Sequence, residues 1–220
     1  MARVITVKGI GKASARPDMV EISMALHTRD RNYERAMDLA GQHIQHLTET
    51  ICAIGFEKSD LKTANFNVHT EYENAKDRNG NYNRIFKGYV VDHNLKLEFD
   101  FEMQRLSQAL SAIAGCLSNP DLSIRFTVKD ATGMNEEMLR SAAVNARRKA
   151  EILCEASGVK LGQLLNVDYN WGELEIYSNT QYKLSEECMP YAAAPTAIDI
   201  EPDDIDVSDT VTFVWEILSC

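Results

Sequence analysis

A long stretch of strict alternation between apolar and polar side chains, from Tyr89 to Phe101, places the strongest constraint on the fold of this chain. One alternate set is apolar apart from a single histidine: Tyr89, Val91, His93, Leu95, Leu97, Phe99 and Phe101. The intervening set is mostly charged or amide: Val90, Asp92, Asn94, Lys96, Glu98 and Asp100. A period of two residues is typical of a strand with one face on a core and the other in water. We therefore expect an antiparallel sheet with one wet face.

The same period, or a strand-like composition, predicts further strands. They are expected at Arg3–Lys8 with a continuation to Ala15, Val20–Leu26, Thr63–Tyr72, Leu122–Val128, Leu164–Tyr169 and Val211–Ile217. Two segments between them are polar and are predicted as extended loops. Asn74–Asn83 contains the hairpin signal Asn79-Gly80, and Ser178–Asp209 contains three of the five prolines and six acidic residues between Asp199 and Asp209.

Three segments change to a helical period. The first is a long helix that begins near Asp30 or Asn32 and ends at Gly55. Its apolar stripe is Tyr33, Met37, Ala40, Ile44, Leu47, Ile51 and Ile54. A short helix is predicted over Met103–Leu117 and a long one over Asn135–Ser157. The apolar stripe of the last helix is Leu139, Ala142, Ala143, Ala146, Ala150 and Leu153.

The predicted order is therefore ββαββαβαββ. This order indicates an α+β fold in which a mostly antiparallel sheet is packed by two long helices and one short helix. We expect residues 1–220 to form a single domain. A division into two sub-units, at about 1–102 and 103–220, stays open as an alternative.

Charge and composition restrict the class of partner and the location. The chain carries 33 acidic and 23 basic residues, a formal net charge of −10. This charge argues against a nucleic-acid surface, which needs a basic stripe. No run of 18 apolar residues occurs, so we predict no membrane span. The segment Met1–Lys8 alternates like a strand and has no secretory features, which predicts a cytoplasmic protein. A periplasmic or secreted location is the alternative if a signal peptide was removed from the chain.

The cysteines are odd in number and widely spaced. They are Cys52, Cys116, Cys154, Cys188 and Cys220. This pattern is typical of reduced, mostly buried thiols. A redox role for them is the weaker interpretation, because none lies beside an evident basic cluster.

Three stretches together resemble the SIMPL-domain family over nearly the whole chain. The first is Val7–Gly11 followed by Arg16-Pro17-Asp18. The second is Leu61–Phe66 followed by Tyr72 and Gly88-Tyr89. The third is Ala146–Glu151, which leads through Ala156-Ser157-Gly158 to Leu161-Gly162. The resemblance implies an α+β fold, ring-like homo-oligomers and no established catalytic residues. It also implies a link to oxidative-stress tolerance in bacteria and kinship with secreted or outer-membrane antigens.

Two glycines and four histidines are candidate binding-site residues. Gly9-Ile10-Gly11 follows a predicted strand, as the glycines of a phosphate-binding loop do. The motif also needs a third glycine at the start of a helix, which is absent here. A glycine bulge in a bent strand is therefore favoured. His43 and His46 are a possible metal pair on the first helix, where an exposed surface is the simpler interpretation. His69 and His93 lie on the two arms of the predicted hairpin and could meet.

Charged clusters give no stronger signal. The acidic residues of 199–209 lack the spacing of a calcium-binding loop. Arg147, Arg148 and Lys149 form a basic patch on the last helix that Glu151 and Glu155 can pair with. We therefore predict no catalytic, cofactor-binding or metal-binding residue.

The resulting hypothesis is a non-enzymatic bacterial SIMPL domain that self-assembles into a homo-oligomer. The predicted assembly surfaces are the sheet edges, the long helices and the aromatic residues Trp171, Tyr177 and Tyr182. The alternative is a small-ligand binder or an enzyme with a pocket of His and carboxylate side chains.

Overall fold

The computed structural model describes residues 3–76, 82–116, 118, 120–170, 175–184 and 200–219 of the chain. The elements in these ranges are β1 (Val4–Ala15), β2 (Met19–Asp30), α1 (Tyr33–Ala53), β3 (Leu61–Lys76), β4 (Tyr82–Asp100), α2 (Met103–Ala114), β5 (Asp121–Thr127), α3 (Ala131–Ala156), β6 (Val159–Asp168), β7 (Tyr177–Leu184) and β8 (Ile205–Ser219). The predicted α+β class is confirmed, and the predicted order is confirmed except for one additional strand, β7.

The first sheet has the strand order β1-β8-β6 and is antiparallel. β1 pairs with β8 in one unbroken register, from Val4 opposite Glu216 to Ala15 opposite Ile205. The predicted bulge at Gly9-Ile10-Gly11 is therefore wrong, since β1 runs straight through both glycines. β6 is less regular and shifts register on both sides of Leu164.

The second sheet has the strand order β3-β4-β2-β5-β7. β2 pairs antiparallel with β4 from Met19 opposite Asp100 to Asp30 opposite Tyr89. The alternation in β4 is confirmed, because its apolar set enters a core with β2, α1 and α2. The fully buried members of this core are Val20, Ile22, Leu47, Leu97, Leu106, Ala109, Ile124 and Phe126.

Local signals explain the ends of α1. The Asn32 side chain accepts a hydrogen bond from the amide of Arg35, so Asn32 is the N-cap. Gly55 follows the helix with φ of 92°, a backbone conformation that favours glycine. The buried residues of α1 are Ala36, Ala40, Leu47 and Ile51. The predicted stripe is thus partly confirmed, but Tyr33 at its start is 50% exposed.

The chain forms two compact units, each made of separate segments. The first unit comprises Met1–Asp18, Thr127–Asn179 and Pro202–Cys220. The second comprises Met19–Phe126 and Thr180–Glu201. The boundary near residue 102 suggested by the sequence lies inside the second unit.

Both predicted loops are shorter than the sequence suggested. Residues 178–184 belong to β7 and residues 205–209 to β8, while 185–199 lie outside the described residues. Residues 74–76 belong to β3 and 82–83 to β4, and the Asn79-Gly80 signal lies outside the described residues. Composition was misleading here because only some positions of these segments are buried. Ile205 and Val207 are buried, and so is the polar Ser178.

Candidate functional site

Helix α3 lies unusually close to β1 in the first unit. Its buried residues recur at every fourth position: Met134, Met138, Ala142, Ala146, Ala150 and Cys154. A Cβ atom on Gly9 would lie 2.1 Å from the carbonyl oxygen of Ala142, and one on Gly11 would lie 2.2 Å from that of Met138. The two glycines therefore serve helix packing, which leaves no support for a phosphate loop. The predicted helix stripe is wrong at Ala143, which is exposed, and at Leu153, which is 51% exposed.

The outer edge of β1 is hydrogen-bonded to side chains of α3. The amides of Ile10 and Lys12 donate to Asn145 Oδ1 at 3.1 Å and to Ser141 Oγ at 3.3 Å. The Lys149 ammonium donates to the carbonyl oxygen of Lys8 at 3.2 Å. Since these backbone groups are occupied, another strand cannot pair with them without displacing the side chains. The β1 edge is therefore closed over Lys8–Lys12.

The opposite edge of the same sheet is β6, where apolar side chains are exposed between polar ones. Leu164, Leu165 and Val167 are 51%, 52% and 45% exposed. Leu164 is opposite Trp215 and Val167 is opposite Phe213. Residues paired across antiparallel strands project from the same face. Leu164 and Val167 thus extend the buried aromatic surface of β8 outward to the sheet edge.

A groove of about 350 Å³ runs beside this edge. Its walls come from α3, β6 and β8: Ala143, Arg147, Glu151, Leu161, Gly162, Leu164, Phe213 and Trp215. The rings of Phe213 and Trp215 stack with centroids 5.4 Å apart. Arg147 Nε donates to Glu151 Oε1 at 3.0 Å, as predicted for the basic patch. An extended segment added to β6 can place alternate side chains in such a groove. We call β6 and this groove the β6 edge.

The histidines of the hairpin do not meet. His69 is opposite Val90 and His93 is opposite Phe66, so the two imidazoles project from opposite faces of the sheet. His69 Nδ1 instead lies 3.3 Å from Asp92 Oδ2. The sequence alone does not carry this signal, because the opposite faces follow from the pairing of His69 with Val90.

His93 lies on the apolar side of β4. Its Nε2 is 2.9 Å from Thr63 Oγ1, and its ring meets that of Phe66 edge to face. Burial lowers the pKa of His93 below its usual value of 6.5.

His27 lies beside the same carboxylate, Asp92, as His69. The sequence interpretation did not identify His27 as a candidate. His27 Nδ1 lies 2.7 Å from Asp92 Oδ1, and its Nε2 lies 3.8 Å from Asp121 Oδ2. These residues line the polar side of the second sheet, which we call the polar face. No signal short of the register between β2 and β4 could have brought them together.

The polar face also contains a charge cluster around Glu21, whose carboxylate is almost fully buried. Its oxygens lie 2.7 Å from Lys96 Nζ and 2.6 Å from Arg125 Nη2. Burial acts to raise the pKa of Glu21, but the hydrogen bonds and charges of Lys96 and Arg125 outweigh it. The net pKa is therefore lower than the usual 4.5.

The remaining candidates are dispersed. His43 Nδ1 contacts Thr28 Oγ1 at 3.2 Å, while His46 is exposed on the same helix. Among the residues that the structure describes, no three His, Cys, Asp or Glu side chains are grouped to hold a metal ion. In the same residues Cys116 and Cys154 are buried free thiols, and Cys52 is an exposed one.

The predicted aromatic assembly surface is described only at Tyr177 and Tyr182. Tyr182 packs against the core of the second unit, and Tyr177 is half-buried in β7. Trp171, Cys188, Asp199 and Cys220 lie outside the described residues.

Comparison with known proteins agrees with the fold and motifs. The sequence pattern of the SIMPL family, described as proteins of unknown function (DUF541), matches residues 5–215. This chain therefore belongs to the SIMPL family.

Two relatives are 26 kDa periplasmic immunogenic proteins, one from Brucella melitensis biotype 1 and one from Brucella abortus (strain S19). Each is 23% identical to the chain over 163 residues, which are 74% of this chain and 65% of the relative. The matched region thus spans about two thirds of each relative. In the described part of this chain, no helix is long and apolar enough to cross a membrane.

Proposed function

We propose that this SIMPL protein is non-enzymatic and acts by assembling with further copies of itself through the β6 edge. The observation that carries the proposal is the contrast between the two edges of one sheet. Side chains of α3 occupy the β1 edge, whereas the β6 edge exposes Leu164, Leu165 and Val167. An exposed apolar strand at a sheet edge is prone to pair with another chain.

Two copies of the chain can each supply the strand that pairs with the β6 edge of the other. Antiparallel pairing of β6 with a second β6 about a two-fold axis would join two three-stranded sheets into one. It would use the same surface on both copies, as a closed dimer requires. The pairing would also cover Leu164 and Val167, which lie beside the groove containing Trp215.

A periplasmic location is part of the proposal and replaces the cytoplasmic one expected from the sequence. Its support is that the two Brucella relatives are described as periplasmic proteins. The link to oxidative-stress tolerance is proposed on the family resemblance alone.

The test is the molar mass in solution by size-exclusion chromatography with light scattering. We expect the wild-type protein to be a dimer or larger at micromolar concentration. The double substitution Leu164→Lys with Val167→Lys places two charges at the edge and should yield a monomer with an unchanged circular dichroism spectrum.

Ile10→Lys is the matched control. Ile10 is 47% exposed on β1, so the same chemical change at the closed edge should leave the assembly intact. A monomeric wild-type protein would refute the proposal. A double variant that assembles like wild type would show that the β6 edge is not the interface.

A further inference from the structure

A cleft of about 520 Å³ lies on the polar face of the second sheet, a volume in the range of small-ligand sites. Small side chains on neighbouring strands make room for it, among them Ser23 and Ala25 of β2 and Ser123 of β5. Asn94, Asp121 and Lys183 line it as well. All six residues belong to the second unit.

Two ordered charge clusters border the cleft along the strands. On one side, Glu21 holds Lys96 and Arg125. On the other side, Asp92 holds His27, whose Nε2 is directed toward Asp121. These clusters fix the surroundings of the cleft before any ligand arrives, which lowers the entropic cost of binding.

The charged groups of the cleft itself are of opposite sign. β5 supplies the Asp121 carboxylate and β7, the next strand, supplies the Lys183 ammonium. The side chain of Asp121 is 42% exposed. A carboxylate has about four lone pairs, so Asp121 can accept from a ligand while it keeps its partners within the protein, including the His27 imidazole 3.8 Å away. The hydroxyls of Ser23 and Ser123 and the amide of Asn94 add neutral donors and acceptors.

This charge pattern selects one class of ligand. A simple anion at Lys183 would meet repulsion from Asp121, and a simple cation at Asp121 would meet repulsion from Lys183. A molecule with one ammonium and one carboxylate group satisfies both. We propose that the cleft binds a small zwitterion, an amino acid or a dipeptide, between Asp121 and Lys183. This activity is independent of assembly through the β6 edge.

The test is a titration of the wild-type protein followed by amide chemical shifts. The probes are L-alanyl-L-alanine, acetate and ethylammonium, at up to 10 mM each. We expect the dipeptide to shift the amides of Ser23 and Ser123, with acetate and ethylammonium binding at least ten-fold more weakly. No shift with the dipeptide, or equal binding of the three probes, would overturn the proposal.

Substitutions then locate the site. Asp121→Asn and Lys183→Met should each weaken dipeptide binding at least ten-fold, while the exposed controls Asp38→Asn and Lys58→Met should leave it unchanged. Ala25→Leu fills the cleft without changing its charge and should abolish binding, with circular dichroism confirming the fold. Dipeptide binding that survives all three cleft substitutions would refute this location.

Discussion

The amide of Ile10 is hydrogen-bonded to Oδ1 of Asn145 at 3.1 Å, although 135 positions separate the two residues in the chain. Asn145 lies between Ser141 and Lys149, which bind the neighbouring backbone groups of β1 at four-residue intervals. A helix normally presents one face to a sheet. Here the next row of α3 side chains also makes hydrogen bonds to the backbone of the edge strand.

Substitution of Asn145 tests this edge closure. Asn145→Ala removes the acceptor of the Ile10 amide, and we expect the free energy of unfolding to fall by about 1 kcal/mol. The amide of Ile10 should also exchange its hydrogen faster, as measured by NMR. Arg148→Ala, an exposed position on the same helix, is the control. Unchanged protection of the Ile10 amide in Asn145→Ala would contradict the finding.

The close packing of α3 on β1 makes a second prediction. Gly9→Ala or Gly11→Ala places a Cβ within 2.2 Å of the α3 backbone, which cannot yield as a flexible side chain would. We expect each to lower the free energy of unfolding by about 1–3 kcal/mol in urea denaturation. Gly41→Ala is the matched control, since nothing lies within 4 Å of its added Cβ. As Gly41 is inside α1, that change should stabilise the protein by up to about 1 kcal/mol.

The buried carboxylate of Glu21 makes stability depend on acid. Its pKa in the folded protein is below 4.5, so the folded state binds fewer protons than the unfolded chain. The stabilisation is present above about pH 4.5 and is lost as the pH falls through the lower folded pKa.

Glu21→Gln should therefore cost about 1–3 kcal/mol at pH 7. In chemical denaturation across pH, this cost should shrink progressively as the pH falls below about 4.5. Glu98→Gln, which affects an exposed partner of Lys96, should cost less than about 1 kcal/mol. A Glu21→Gln deficit that is the same at pH 3 and pH 7 would argue against this ion cluster.

His93 gives a dependence in a different pH range. Burial lowers its folded pKa below 6.5, so protonation favours the unfolded chain. Stability should begin to fall as the pH drops below about 6.5 and should level off below the folded pKa. In His93→Gln the loss of stability caused by protonation of His93 should be absent. Thermal denaturation at pH 5 and pH 7.5 can measure this difference. His46→Gln, the same substitution at an exposed position, is the matched control.

Much of the fold could be predicted because the local signals agree with one another. The alternation in β4, the Asn32 cap and Gly55 each fix an element by short-range physics. β7 was missed because its sequence lacks a clear apolar face.

The sites were harder to predict because they depend on register. The Asp92 contacts with His27 and His69 require the pairing of three strands, two of which shift register. The spacing of Ser141, Asn145 and Lys149 was visible, but no local rule says that a helix will bind the edge of a strand made early in the chain. The buried face of α3 was likewise predicted incorrectly in part, because an apolar stripe made mostly of alanines defines the direction of that face poorly.

The pairing of the first strand with the last has a consequence for the order in which the protein folds. During synthesis, β2 to β5 emerge together and can pair while later residues are still being added. β1 emerges before all of them, but Val4 pairs with Glu216. β1 therefore cannot pair until nearly the whole chain has been synthesised. Contacts between such distant residues form slowly. The first unit should therefore fold last, and a ribosome-bound chain should expose β1 to chaperones until β8 arrives.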